Sequence, residues 1–281
     1  MSVGNQEVLA VNSLKVTLLN KKKSKNKVLV DNINFNVHEG ECVVLLGESG
    51  SGKSMTISAI TGLLGKGFKV EGEAKLENRD LLTRSEKELR SIRGTDIGMI
   101  LQSPMTCFDS LFRIGNQIDE TFKAHTNWDK ATRYTKAIEM MTKLNLVDPE
   151  HVYKKYPHQL SGGMLQRVMI GLSMELNPKL LIADEPTTAI DKITAKEVIE
   201  LFKDIKKAYG TAIVFVTHDL GVAAALADRV VVLNTGKVVD AGTFSEIVHR
   251  AKDPYTKLLI EKRTAVMKRY SLALEGKERG A

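Results

Sequence analysis

The 281 residues are 43% hydrophobic and 27% charged, and 41 basic against 34 acidic side chains leave a formal charge of +7. This is an ordinary globular composition with ample chain for a buried core, which excludes disordered and fibrous classes. The mild basic excess suits an anionic partner, but aromatics are only 5% and are not interleaved with a basic run, so no nucleic-acid partner is expected.

In chain order, Met1–Glu7 has neither a basic region nor an apolar core, so it does not read as a secretory signal. Leu9–Leu18 reads as a strand, Lys21–Lys27 as a solvated hairpin tip, and Val28–Val37 as an alternating strand. Cys42-Val43-Val44-Leu45-Leu46 is a continuous apolar run suited to burial on both sheet faces. A glycine-rich turn follows, then a helix over Ser54–Leu64 ended by Gly65-Lys66-Gly67. Ile97–Leu101 is another strand. Helical patterns dominate between Pro104 and Pro178, over Ile114–Ala124, Ala131–Leu144 and Met164–Leu176.

Strands return at Leu180–Ala183, Ala212–Val216 and Val230–Leu233, with a helix at Ala195–Ala208. This order predicts an α/β fold: a parallel core interrupted by a helical insertion at about 104–178. The first domain spans 1–242, and 243–281 forms a basic helical extension. From 249 onward, nine Lys/Arg face four Asp/Glu. No stretch approaches the roughly 18 uninterrupted apolar residues of a transmembrane helix, so a soluble chain is expected, with any membrane role supplied by partners. Cys42 and Cys107 are too few to staple such a fold and read as small buried hydrophobes of a reducing compartment.

Gly47-Glu48-Ser49-Gly50-Ser51-Gly52-Lys53-Ser54 fills every position of G-x-x-x-x-G-K-[ST] between a buried strand and a helix start. Glycines at Gly47, Gly50 and Gly52 let backbone N–H groups, with those of Ser49 and Ser51, turn inward around an anion at the positive end of a helix. Lys53 supplies a mobile cation for the β and γ phosphates, and the Ser54 hydroxyl is a Mg²⁺ ligand. This predicts a bound nucleoside triphosphate. Kinases, GTPases and recombinases share the loop, so it leaves the driven process open.

Leu180–Ala183 ends in Asp184 and Glu185. At the carboxyl end of such a strand the side chains enter the nucleotide crevice. Asp184 is placed to hold Mg²⁺ and Glu185 to orient or deprotonate the attacking water. His218 ends a second strand and is a γ-phosphate sensor candidate. Gln102 ends a third, where an amide reaches both metal and water.

Leu160-Ser161-Gly162-Gly163-Met164-Leu165-Gln166-Arg167 is a second glycine-bearing helix cap, with Gly163 21 residues before Asp184. One nucleotide in a compact chain does not easily use both cradles, whereas two chains packed head to tail do.

With these motifs in order, residues 7–250 resemble an ATP-binding cassette (ABC) ATPase. The resemblance implies a phosphate-loop NTPase fold with a RecA-like parallel core, an antiparallel β subdomain and a helical insertion. It also implies a Q-loop at Gln102, a signature at Leu160–Met164, a D-loop at Ala189-Ile190-Asp191 and a switch histidine at His218. The implied cofactors are ATP and Mg²⁺. The family's adenine-stacking aromatic falls near Leu18. Losing that stack forfeits roughly 0.5–1.5 kcal/mol, which charge-assisted phosphate contacts of about 1.5–3 kcal/mol each outweigh. Met164 replaces a common Gln.

Gln102–Thr106, Tyr156–Met164, Ala183–Thr188 and Asp253–Thr256 resemble the oligopeptide/dipeptide/nickel importer group, and most nearly its nickel-import ATP-binding subunit and metallophore-linked relatives. No cysteine follows Cys107, so the late cysteine cluster of many peptide-type members is missing. The resemblance implies permease partners, gripped by the region near Ser103–Ile118, a companion ATPase in a heterodimer, and an extracytoplasmic substrate-binding protein. It places the chain peripherally on the cytoplasmic membrane face. The cargo is nickel or a metal chelate, with peptides as the alternative. A soluble cassette ATPase acting on nucleic acid or ribosomes is the reading from another class.

Overall fold

The computed structural model describes residues 6–19, 26–188 and 190–262. Most of the lysine run, Ala189 of the expected D-loop, and the tail beyond 262 lie outside these residues. Strands β1 (Glu7–Leu18) and β2 (Lys27–His38) pair antiparallel, and β4 (Phe68–Leu76) and β5 (Arg79–Asp80) extend them into a four-stranded sheet. The second sheet has six strands in the order β10-β9-β3-β8-β7-β6. These are β3 (Cys42–Leu46), β6 (Ile97–Ile100), β7 (Leu180–Asp184), β8 (Ala212–Thr217), β9 (Arg229–Asn234) and β10 (Lys237–Gly242). All neighbours are parallel except the edge strand β10.

The period of two along β3 divides its side chains between two cores. Val43 and Leu45 pack with Leu14, Val30 and Ile60 beneath the antiparallel sheet. Cys42, Val44 and Leu46 face the opposite cluster with Phe122, Phe202 and Phe215. Covered on both faces, β3 and β8 are buried throughout, which is why they read as unbroken apolar runs. The carboxyl ends of β3, β6, β7 and β8 therefore meet along one sheet edge.

Between β6 and β7 lie α3 (Pro104–Cys107), α4 (Ile114–His125), α5 (Lys130–Lys143), α6 (Pro149–Lys154) and α7 (Gly162–Met174). Helices α5, α7 and α8 (Lys192–Tyr209) begin earlier than their apolar periods suggest. Their starts are fixed instead by side-chain caps at Asp129, Ser161 and Asp191.

Helix α1 (Lys53–Ile60) ends sooner than expected. Gly62 turns left-handed, and Leu63 N–H donates back to the Ser58 carbonyl at 2.8 Å, a Schellman-type closure that stops the helix well before Gly65. Elements β4, α2 (Glu86–Ile92), α6, α9 (Leu220–Leu226) and β10 are short or charge-rich and gave no clear period.

Cys42 is buried as expected, but Cys107 is exposed. It closes α3, a single surface turn anchored by buried Pro104, so its thiol donates to the Ser103 carbonyl rather than packing. Past Thr243, α10 (Phe244–Arg250) and a helix over 254–262 rest on the main core through Phe244, Ile247, Tyr255 and Leu259. Among the described residues no helix is long and apolar enough to cross a membrane.

Candidate functional site

The loop after β3 turns through left-handed Gly50 and Gly52, and Gly52 opens α1 with no side chain capping its N–H groups. Those N–H groups and the helix end form an anion cradle. Lys53 is folded against the loop, donating to the carbonyls of Gly47 at 2.7 Å and Glu48 at 3.0 Å. Its side chain is only 4% exposed and lies 3.8 Å from the Glu185 carboxylate. Burial lowers its pKa, with Glu185 and then Asp184 acting in opposition. The Ser51 hydroxyl is buried without a protein partner. An oxyanion seated in the loop supplies what these groups lack.

Asp184, at the end of β7, accepts the Ser54 hydroxyl at 3.1 Å. Burial pushes its pKa up, the Ser54 hydrogen bond opposes this, and the neighbouring Glu185 charge raises it further. A hydroxyl beside a carboxylate short of positive charge is a donor set that fits Mg²⁺.

Glu185 adopts a left-handed backbone with φ 47°, and its N–H is bonded to the Val216 carbonyl of β8 at 3.0 Å. Such a conformation costs on the order of 1–3 kcal/mol and persists only where neighbours enforce it. The result is a carboxylate aimed across the crevice. Its Oε2 accepts from the Thr188 hydroxyl at 2.9 Å and lies 3.5 Å from Gln102 Nε2 and 3.3 Å from His218 Nδ1. Three strand ends thus converge on one carboxylate.

These groups line a cavity of about 780 Å³ with Ser49, Gly50, Gly52, Lys53 and Ser54. Leu29, Leu259 and Lys262 form its outer wall. Leu18 is not in that lining. It pairs across the antiparallel sheet with Lys27 and Phe68, so the apolar surface at the cavity comes from elsewhere. A second cavity of about 830 Å³, between α5, α7 and α8, contains none of the expected site residues. Among the described residues there is no cluster of three or more His, Cys, Asp or Glu suited to a metal.

Ser161 and Gly163 are also outside the cavity lining. Ser161 caps α7 by accepting the Met164 N–H at 3.2 Å. A Cβ on Gly163 would sit 2.5 Å from Thr194 Cγ2, and Thr194 is itself fixed by its hydroxyl donating to Asp191 at 2.6 Å. The second cradle is therefore built tightly against the start of α8 and contributes no residue to the cavity of the chain's own phosphate loop.

Sequence reasoning missed Thr188, Leu29, Leu259 and Lys262. Thr188 stands three residues after Glu185, the spacing of a turn, but a threonine in a loop carries no chemical signature.

A phosphate loop at the end of a buried parallel strand, with an acid pair on another strand end, defines a phosphate-loop NTPase. The ABC transporter family profile matches residues 30–188. The chain is 42% identical over 248 residues to the metal-staphylopine import system ATP-binding protein CntD of Staphylococcus aureus, spanning 88% of this chain and 92% of that one. It is 44% identical over 226 residues to the oligopeptide transport ATP-binding protein OppD of Bacillus subtilis, covering 80% of this chain and 63% of that protein. In structure it is similar to the dimeric cassette MJ0796 bound to ADP and Pi, with TM-score 0.74, 28% identity, and coverage of 84% of this chain and 98% of that one. This chain belongs to the ABC transporter family, as an ATP-hydrolysing transport ATPase with the ABC nucleotide-binding fold.

Proposed function

We propose that this chain is the ATPase subunit of an importer and that its crevice hydrolyses ATP with Mg²⁺. The observation that carries this reading is the Glu185 carboxylate, held by Thr188 and met by Lys53, Gln102 and His218. Gly47, Gly50 and Gly52 shape the loop around the phosphates, where Ser49 and Ser51 add polar groups. Lys53 leaves its resting carbonyls for the β and γ phosphates. Ser54, Asp184 and Gln102 would hold Mg²⁺, which would neutralise phosphate charge. Glu185 orients the attacking water and takes its proton, and His218 contacts the γ-phosphate.

Ser161 and Gly163 serve the site of a second ATPase chain, which in turn completes this one. The companion is a related but different chain, and the pair sits on permease subunits at the cytoplasmic membrane face, fed by an extracytoplasmic binding protein. Leu18 contributes less to adenine than an aromatic would, so the phosphate contacts dominate affinity. The cassette proposed for residues 1–242 carries 104–178 as its helical insertion, and the basic segment that follows packs onto it through its described part.

The cargo is a metal chelate or nickel. The likeness to a metal-staphylopine import protein over most of this chain supports this. Oligopeptides are the second reading, favoured by the likeness to OppD. ATPase stimulation of the reconstituted complex separates the two. Stimulation by binding protein loaded with a metal chelate is expected, and stimulation by peptide-loaded protein alone would reverse the assignment.

A further inference from the structure

The segment after β10 was expected to be a basic extension, yet its described part reaches the phosphate loop. Asp240 on β10 accepts the N–H groups of Lys252 at 3.2 Å and Asp253 at 3.1 Å. Asp253 then accepts the Tyr255 N–H at 2.8 Å. These bonds fix the entry of the helix over 254–262, and Thr256 within it is fully buried.

From this mount the Tyr255 hydroxyl accepts the N–H of Glu48 at 2.8 Å. One turn and two turns further along the helix, Leu259 and Lys262 line the nucleotide cavity, and Lys262 Nζ lies 3.4 Å from the Glu48 carboxylate. Glu48 is thus held at its N–H and its carboxylate by this helix. Its carbonyl accepts Lys53 Nζ at 3.0 Å. The same carbonyl also receives the Ser51 N–H at 3.2 Å. A chain of hydrogen bonds runs from β10 through Tyr255 to the carbonyl on which the phosphate-binding lysine rests.

We propose that the helix over 254–262 is a structural wall of the nucleotide site, in which Tyr255 is a positioning residue for the phosphate loop and Lys262 a second cation for the bound nucleotide. This rests on the ATP reading given above. Tyr255 touches no phosphate; it acts through Glu48, holding the outer limb of the loop so that the inner N–H groups stay convergent. Lys262 is 59% exposed and its contact with Glu48 is a surface ion pair of small worth. A nucleotide bearing several negative charges in the same cavity draws it away at little cost.

The test is MgATP binding by the full chain, measured calorimetrically at two salt concentrations, with nucleotide-free thermal midpoints alongside. Tyr255→Phe keeps the ring and removes only the hydroxyl, and Lys262→Gln changes an exposed side chain. Each is expected to weaken ATP by about three- to tenfold, the span of one lost hydrogen bond or ion contact. Lys262→Gln is also expected to reduce the salt dependence. Either variant weakening ATP at least about threefold, with its thermal midpoint unchanged, upholds the inference. Both staying below that, or weakening only in step with a falling midpoint, overturns it and leaves the ATP reading intact. Wild-type chain that binds no ATP sinks both.

Discussion

Lys53 Nζ and the Glu185 carboxylate face each other at 3.8 Å across the crevice, one from the first residue of α1 and the other from just past the end of β7. Lys53 is also bonded to two loop carbonyls, so its ammonium is shared between the loop and the acid. In the proposed mechanism, a triphosphate would give that cation a stronger partner and free Glu185 for water.

Because burial lowers the Lys53 pKa from its usual 10.5, this lysine loses its proton at a lower pH than an exposed one. ATP affinity is expected to fall as pH rises through that lowered value, where an ordinary lysine would still be charged. The sign for stability is the reverse: a lysine whose pKa drops on folding costs stability while charged, and the cost is relieved as pH rises. Calorimetric ATP titrations between neutral and alkaline pH check this, and affinity flat up to 10.5 contradicts it.

Thr188 holds Glu185 Oε2, so Thr188→Val is expected to slow hydrolysis by about three- to tenfold, with ATP affinity little changed. Thr188→Ser should restore most of the rate, since it returns the hydroxyl. A valine variant with normal turnover would show that the left-handed backbone alone aims Glu185.

Ser161 and Gly163 stand outside the cavity that holds the phosphate loop, so hydrolysis should require a second chain. Specific ATPase activity of the isolated subunit is expected to fall steeply on dilution. Ser161→Ala in this chain should reduce turnover of the complex while leaving ATP binding by the isolated chain unchanged. Activity that is constant on dilution and equals that of the complex contradicts the shared site.

Burial pushes the Cys42 thiol up to about 12, whereas Cys107 is exposed, though partial burial raises its pKa as well. Native alkylation at pH near 8 should therefore modify Cys107 and spare Cys42, with mass spectrometry locating the adduct. Labelling of Cys42 before unfolding would mean the β3 core opens.

Much of this architecture was legible because its central strands are buried on both faces. Cys42–Leu46 and Ala212–Val216 announce themselves as apolar runs, and each runs straight into a polar, chemistry-bearing terminus. Helix starts were less legible: a single Asp129 or Asp191 side chain fixes them, which an apolar period does not register. The end of α1 depends on the backbone of Gly62, three residues before the Gly65-Lys66-Gly67 stretch expected to end it. At the site, the motif and spacing pointed to Lys53 and Glu185, and the fold brings the two side chains to one cavity. Thr188, Leu259 and Lys262 acquire meaning only from where the fold brings them, and Leu259 lies more than two hundred residues from Lys53 in sequence. Leu18, which its sequence position set near adenine, pairs with Lys27 and Phe68 and is not among the cavity-lining residues.

Glu185 is proposed to activate water for ATP hydrolysis in this crevice. ATP binding and turnover by the assembled complex carrying Glu185→Gln in this chain test it most directly. The carboxamide keeps size and hydrogen bonding while removing the base, so ATP should bind with near wild-type affinity while turnover falls by about a hundredfold or more. Turnover close to wild type, with ATP bound normally, would contradict the role assigned to Glu185.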